Sequence, residues 1–169
     1  GLAITRIFAA NGHDIIMTSK TADRLDNACA QLKQEYPNVS VTAKAFDLSK
    51  TNECQLFTEW AVGLGTIDIL VNNAGYFLPG NITTESAGTL EAQLNTNLLS
   101  AYYVTRGIVP TMIQQHAGHI FNIGSIAGLQ AYQNGGSYSI SKFALHGFSQ
   151  NLRLELKDKG IKVTLVAPG

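Results

Sequence analysis

Residues 67–75 read IDILVNNAG. Ile67 to Val71 is a short apolar run with one charge, and it stops on Asn72, Asn73, Ala74 and Gly75. A nearly continuous apolar run of this length is the pattern of a strand buried on both faces, as in a parallel sheet covered by helices. Outward from it the same alternation recurs. Upstream, Ser49 is placed to cap a helix running to about Gly63, and Gly65 turns the chain. Before that, Val39 to Phe46 alternates as a strand and Asp47 stands where it stops. Ala22 to Tyr36 carries Leu25, Ala28, Cys29 and Leu32 on one helical stripe, ended by Pro37-Asn38, and His13 to Ser19 is another short buried strand. Downstream, a loop with Pro79 and Gly80 leads into a long helical stretch from about Ser86 to His116. His119 to Ile123 then reads as a strand, Tyr138 to Lys159 as a helix, and Ile161 to Ala167 as a strand before Pro168-Gly169.

Strands and helices alternate without repeats, low-complexity segments or linkers. The pattern predicts one α/β domain over 1–169, a doubly wound parallel sheet in a three-layer α/β/α arrangement. Such sheets bind ligands at the carboxyl ends of their strands. Chemistry is therefore expected at Ser19-Lys20, Asp47, Asn72 to Gly75, Gly124-Ser125 and Pro168-Gly169.

Composition narrows the function. Twelve basic side chains balance twelve acidic ones in 169 residues, which argues against a nucleic-acid footprint or a polybasic membrane patch. Apolar residues make up 45% of the chain but charged residues only 14%, against about 25% in ordinary soluble domains. So little charge points to surface hidden against other subunits. Cys29 and Cys54 lack the spacing of a disulfide framework or a zinc site, and free thiols fit a reducing compartment. Apolar runs end well short of the ~18 residues of a membrane span, and no export signal opens the chain; a cytoplasmic location is expected. On that view the sequons at Asn38 and Asn81 are coincidental. His116 and His119 straddle a helix end and a glycine, so no metal site is expected there.

Tyr138 and Lys142 lie four apart at the start of a helix and share one face. A lysine ammonium beside a phenol favours the phenolate and makes the pair a candidate general acid or base. With six tyrosines and eight lysines in the chain, one such pair is unremarkable by itself. Ser125 gives it context. It follows a buried strand thirteen residues before Tyr138, where a hydroxyl can hydrogen-bond a substrate oxygen presented to the phenol.

Ser125 followed by Tyr138-Ser139-Ile140-Ser141-Lys142 resembles the active site of the short-chain dehydrogenase/reductase family. Asn72-Asn73-Ala74-Gly75 after a buried strand is similar to that family's NNAG segment. Thr96-Asn97-Leu98, with Tyr103 to Arg106 after it, is similar to its long central helix. Asp47, with Leu48 following, matches its adenine-contacting aspartate, and Pro168-Gly169 its turn after a late strand. The resemblance covers the whole chain, five motifs in order, and implies a Rossmann-type fold and a mechanism. Hydride passes between a nicotinamide and a carbonyl carbon while Tyr138 exchanges a proton with its oxygen. Ser125 orients that oxygen, Lys142 holds the nicotinamide ribose and assists Tyr138, and Asn97 holds a water at a local break in its helix. The cofactor-binding set implied is Gly1, Ser19, Lys20, Asp47, Leu48, Asn73, Ala74, Gly75, Tyr138, Lys142, Pro168 and Gly169. An acid at the end of the second strand would accept bonds from an NAD ribose; here Ser19 stands there with Lys20 beside it, so NADP is expected over NAD.

The chain departs from the family at both ends. Gly1-Leu2-Ala3 matches only the last glycine of the glycine-rich phosphate turn and the helix after it. The family's first strand and the part beyond Pro168-Gly169 have no counterpart, and without that strand two strand edges are expected to lose a ladder partner. Gly124 also stands where a second serine is common. A cofactor-binding scaffold without turnover is the alternative function; the presence of Ser125 and Tyr138 favours an enzyme acting on a small carbonyl or secondary alcohol. A sugar-epimerase relative would share Tyr138 and Lys142, but the NNAG segment counts against it. Tyr76, Phe77, Gln130, Tyr132 and Asn134 are expected to line a mixed apolar and polar pocket. Residues 98–112 and 143–154 carry one formal charge each, Arg106 and Arg153, which predicts pairing into a homodimer or homotetramer.

Overall fold

The computed structural model describes residues 1–169. The chain, read from sequence as one domain, forms two compact units, Gly1–Leu48 and Ser49–Gly169. The five strands fall into two sheets, of two and three strands, and within each sheet neighbouring strands run parallel.

The first unit contains α1 (Leu2–Ala10), β1 (Ile15–Met17), α2 (Ala22–Glu35) and β2 (Val41–Ala43). Leu25 and Leu32, two turns apart, are the fully buried residues of the predicted α2 stripe. The helix stops at Tyr36 because a residue preceding proline is pushed out of the α region. Ile15, Ile16 and Met17 pair with Val41, Thr42 and Ala43. These strands are shorter than their sequence patterns predict. Pairing continues past the regular ladder, however, since Lys44 N–H donates to Met17 O and Phe46 N–H to Ser19 O. Arg6 of α1 clamps Glu35 of α2 through two 2.8 Å bonds, a bidentate geometry on the surface.

The second unit contains α3 (Thr51–Gly63), β3 (Ile69–Asn72), α4 (Thr89–Leu94), α5 (Ser100–Gln115), β4 (Gly118–Ile123), α6 (Gly136–Leu156) and β5 (Ile161–Val166). The cap position of α3 is Lys50 rather than Ser49, because the helical turn begins one residue later than expected. Cys54, Phe57, Thr58 and Ala61 are buried at i, i+3, i+4 and i+7 along α3, and Ala101, Val104, Thr105, Ile108 and Met112 along α5. The two helices approach closely at Gly107, where a Cβ would lie 2.5 Å from the Thr58 side chain. The predicted long helix over 86–116 is interrupted: a π turn, Asn95–Leu99, separates α4 from α5. It ends as expected at His116, in the left-handed conformation at φ 52°.

β4 is central, pairing Ile69 through Asn72 of β3 with His119 through Asn122 on one side and Ile161 through Val166 of β5 with Gly118 through Ile123 on the other. With all three strands parallel, Asn72, Ile123 and Val166 end on one edge. A buried polar chain holds that edge to two helices. Asn72 Nδ2 donates to Thr105 Oγ1 of α5 (3.0 Å) and Asn122 Oδ1 (2.8 Å), and Asn122 Nδ2 donates to Ser149 Oγ of α6 (2.8 Å). Fully satisfied networks of this kind specify one arrangement of the elements they join.

Candidate active site

At the carboxyl edge of the three-stranded sheet the predicted residues converge. The turn after β4 carries Ser125 in extended conformation at the start of a 3-10 turn, Ile126–Gly128, whose Ala127 N–H donates to Ser125 Oγ at 3.1 Å. Ile126 N–H donates to Pro168 O (3.0 Å) and Gly124 N–H to Val166 O (2.7 Å), so the Ser125 turn is tied to the exit of β5. At Gly124, read from sequence as the loss of a hydroxyl, a Cβ would sit 2.8 Å from Leu165 Cδ1, the movable end of a side chain, and 3.2 Å from Val166 O.

α6 brings the other groups. Lys142 is 6% exposed, and its Nζ donates to Ile123 O at 2.8 Å, at the end of the strand that leads to Ser125. Burial pushes its pKa below the ordinary lysine value. Nζ lies 5.8 Å from the centroid of the Tyr138 ring, as the four-residue spacing requires. Phe77 meets that ring edge-on, centroid to centroid 4.8 Å. Burial and the neighbouring Tyr138 raise the Tyr132 phenol. The serines of α6 alternate in their tasks: Ser139 Oγ donates to Ala127 O (2.7 Å), holding the 3-10 turn against the helix, and Ser141 Oγ accepts from Asn97 Nδ2 (2.9 Å).

Asn97 is 1% exposed, inside the π turn. Its Oδ1 accepts Tyr76 N–H at 2.9 Å and its Nδ2 donates to Tyr76 O at 3.1 Å, so one side chain mimics a backbone partner for the residue after the NNAG segment. Asn73, Ala74 and Gly75 follow β3 directly, with Asn73 and Gly75 exposed. A Cβ on Gly75 would lie 3.0 Å from Asn97 Oδ1 and 3.6 Å from Lys142 Nζ. The glycine thus leaves an open cradle between a buried amide and a buried ammonium. Lysine has three N–H donors and one is committed to Ile123 O, which leaves donors for vicinal hydroxyls such as those of a ribose. The residues present fit a dinucleotide of the predicted kind.

In the first unit, Ser19 and Lys20 follow β1 and Asp47 and Leu48 follow β2. Lys20 Nζ pairs with Asp47 Oδ2 at 3.1 Å, which links two positions that the sequence presents separately. Gly1 lies at the cap of α1, and Pro168 and Gly169 lie past β5, all three exposed. Of the predicted pocket residues, Phe77 touches Tyr138, Asn134 O accepts Gly80 N–H (3.1 Å), and Tyr76, Gln130 and Tyr132 are exposed. Sequence reading misses Glu85, Gln93 and Gly128, which hold the site through contacts far apart in the chain; Ser137, Ser139 and Ser141, alternating just where Tyr138 sits, are the available signal.

A family model described as short chain dehydrogenase matches residues 1–169. Among curated proteins, an uncharacterized oxidoreductase of Staphylococcus aureus is 31% identical over 170 residues, covering 100% of this chain and 72% of its own. One from Staphylococcus saprophyticus is 31% identical over 169 residues with the same coverage. Among solved structures, a metagenomic short-chain oxidoreductase in complex with NADP has a TM-score of 0.92 at 30% identity, covering 100% of this chain and 76% of that one. L-Sorbose reductase from Gluconobacter frateurii, complexed with NADPH and L-sorbose, has a TM-score of 0.94 at 30% identity, covering 99% and 64%. These similarities and the parallel α/β fold define an oxidoreductase. The chain belongs to the short-chain dehydrogenase family.

Proposed function

We propose that the protein transfers hydride between NADP(H) and a small carbonyl or secondary alcohol, with Tyr138 as the general acid and base. The observation that carries this reading is the buried Lys142 ammonium, anchored on Ile123 O beside the open cradle at Gly75 and 5.8 Å from the Tyr138 ring. When bound, the nicotinamide supplies or accepts the hydride. Tyr138 Oη donates its proton to the carbonyl oxygen in reduction and takes it back in oxidation. Ser125 Oγ hydrogen-bonds the same oxygen and orients it. Lys142 holds the ribose hydroxyls with the donors not used on Ile123 O, and its charge favours the ionised form of the neighbouring phenol. Asn97 commits its side chain to Tyr76 and Ser141, so the water assigned to it falls to main-chain carbonyls in the π turn, where the i−4 pattern is broken.

Lys20, paired with Asp47, serves the adenosine 2′-phosphate, which favours NADP over NAD. The NADP and NADPH complexes of the similar structures support this choice. Oligomerisation through α5 and α6 is part of the same reading: Tyr102 and Phe143 are exposed and Phe148 half-buried, whereas Leu145 and Leu152, within the same segment 143–154, belong to the core. No helix is long and apolar enough to cross a membrane, and the free thiols Cys29 and Cys54 favour a cytoplasmic location. The test is a screen of carbonyl compounds with NADPH and NADH, followed by nicotinamide absorbance, and then Tyr138→Phe on the best substrate. The variant should lose about 10²- to 10⁴-fold in kcat, toward the upper end, while binding NADPH normally; near-normal kcat would remove Tyr138 from the mechanism.

A further inference from the structure

The loop between β3 and α4 is latched to the first turn of α6 by one carboxylate. Ser137 N–H donates to Glu85 Oε1 at 2.9 Å, and Ser137 Oγ donates to Glu85 Oε2 in a short bond. Ser137 is 2% exposed and immediately precedes Tyr138. The first N–H groups of a helix have no partner within it, and the cap residue here, Gly135, has no side chain to supply one. Glu85 supplies it from 52 residues away, and a carboxylate is the favoured group at that positive end of a helix.

The surroundings are shaped for this contact. Gly136 adopts φ +42°, and a Cβ on it would lie 2.0 Å from Glu85 Oε1 and 2.5 Å from Gly80 O. A Cβ on Gly80 would lie 2.8 Å from Glu85 Cγ, and Gly80 N–H donates to Asn134 O at 3.1 Å. Two glycines thus let loop and helix backbones close around the carboxylate. The other end of the loop is also held, by Asn97 on Tyr76 and by Gln93 Nε2, which donates to Leu78 O at 3.1 Å. Between these anchors lies Phe77, whose ring rests on Tyr138.

We propose that Glu85 is a positioning residue for Tyr138: it fixes the backbone beside Tyr138 through Ser137 and, by closing the loop, keeps Phe77 against the phenol ring. The proposal rests on the reading of Tyr138 as the proton donor. Without the carboxylate, the first turn of α6 and the loop separate, and the phenol loses its alignment on both sides. A displacement on the order of 1 Å at a reacting group costs about 10²-fold in rate.

The experiment uses Glu85→Ala, Glu85→Gln and Ser137→Ala in the enzyme, with NADPH and the carbonyl substrate found by the screen. Glu85→Ala should lower kcat about 10- to 100-fold and leave the NADPH dissociation constant within about twofold, since Lys142 and its anchor stay in place. Glu85→Gln keeps one acceptor for Ser137 and should recover much of the loss. The double variant Glu85→Ala/Ser137→Ala should be no slower than Glu85→Ala alone, because both remove one interaction. Hydrogen exchange of the segment 134–142, read without cofactor or substrate, should speed up in Glu85→Ala and return toward normal in Glu85→Gln. If Glu85→Ala does not fold, Glu85→Gln and Ser137→Ala carry the comparison, each with a smaller drop in kcat and faster exchange at 134–142. An unchanged kcat, a parallel loss of kcat and NADPH affinity, or no recovery with glutamine overturns the proposal. If Tyr138→Phe is inactive while Glu85→Ala is normal, only the latch is refuted; an active Tyr138→Phe refutes the acid/base reading itself.

Discussion

Replacing Gly128 by alanine should separate the proposed catalytic serine from the helix that carries the tyrosine and lysine. Gly128 closes the 3-10 turn that begins at Ser125, and its N–H donates to Ser125 O at 3.0 Å. A Cβ at this position would lie 2.5 Å from Lys142 O, 2.6 Å from Lys142 C and 3.0 Å from Lys142 Cβ. Comfortable carbon contacts begin at about 3.5 Å, so the turn and α6 must part by about 1 Å. The obstacle is helix backbone, which cannot rotate aside as a side chain would. The bond from Ser139 Oγ to Ala127 O, 2.7 Å, lies across the same seam and would stretch. Overpacking of this kind costs about 1–3 kcal/mol. At about 2–4 °C per kcal/mol for a chain of this size, the melting temperature should fall by roughly 2–12 °C. The loss of alignment between Ser125 and Tyr138 should lower kcat about 10²-fold. Thermal melts and NADPH-dependent turnover read the two effects. Gly63→Ala is the control: nothing lies within 4 Å of a Cβ at this helical position, so the same substitution should be neutral or stabilising by up to about 1 kcal/mol. Gly128→Ala with a wild-type melt and kcat within twofold would refute the packing argument.

Lys142→Met should abolish turnover and also change how stability depends on pH. Burial lowers the lysine pKa in the folded chain, so between the folded and unfolded values the unfolded chain binds more protons and stability rises with pH. Urea unfolding at pH 7 and pH 10 should show wild type gaining on Lys142→Met as pH rises; parallel curves would contradict the burial cost. Lys20→Ser should lower kcat/KM for NADPH about tenfold, the cost of one bond to a charged group, and leave NADH nearly unaffected. Lys20→Asp is the poorer test because it sets two carboxylates together at Asp47; equal use of both cofactors by the unmodified enzyme would sink the assignment. Phe148→Glu should lower the mass seen by light scattering together with activity, whereas a monomeric parent protein would rule out the α5–α6 interface.

The sequence by itself determined the element types and the positions of the candidate site. Strand runs such as Ile67 to Val71 and the stripe of α2 follow local periods, which a chain displays in its sequence. Tyr138 and Lys142 share a face because four residues are slightly more than one helical turn of 3.6. Strand ends are where loops begin, so Asn73 to Gly75 and Ser125 were legible as site positions. Tertiary structure alone decided what depends on where helices dock. Asn97 is legible as a site residue, but its clamp on Tyr76 needs the π turn of α4–α5 laid over the exit of β3. Leu145 and Phe143 are equally apolar on one helix, yet the first is core and the second surface, because only packing chooses which side of α6 faces the sheet. Glu85 reads as an ordinary loop acid until Ser137 arrives beside it, and Gly128 as an ordinary turn glycine until the Lys142 carbonyl closes over it. Local periodicity carries no information about which residues distant in the chain will meet; that is settled when the helices pack and their backbones approach within van der Waals contact.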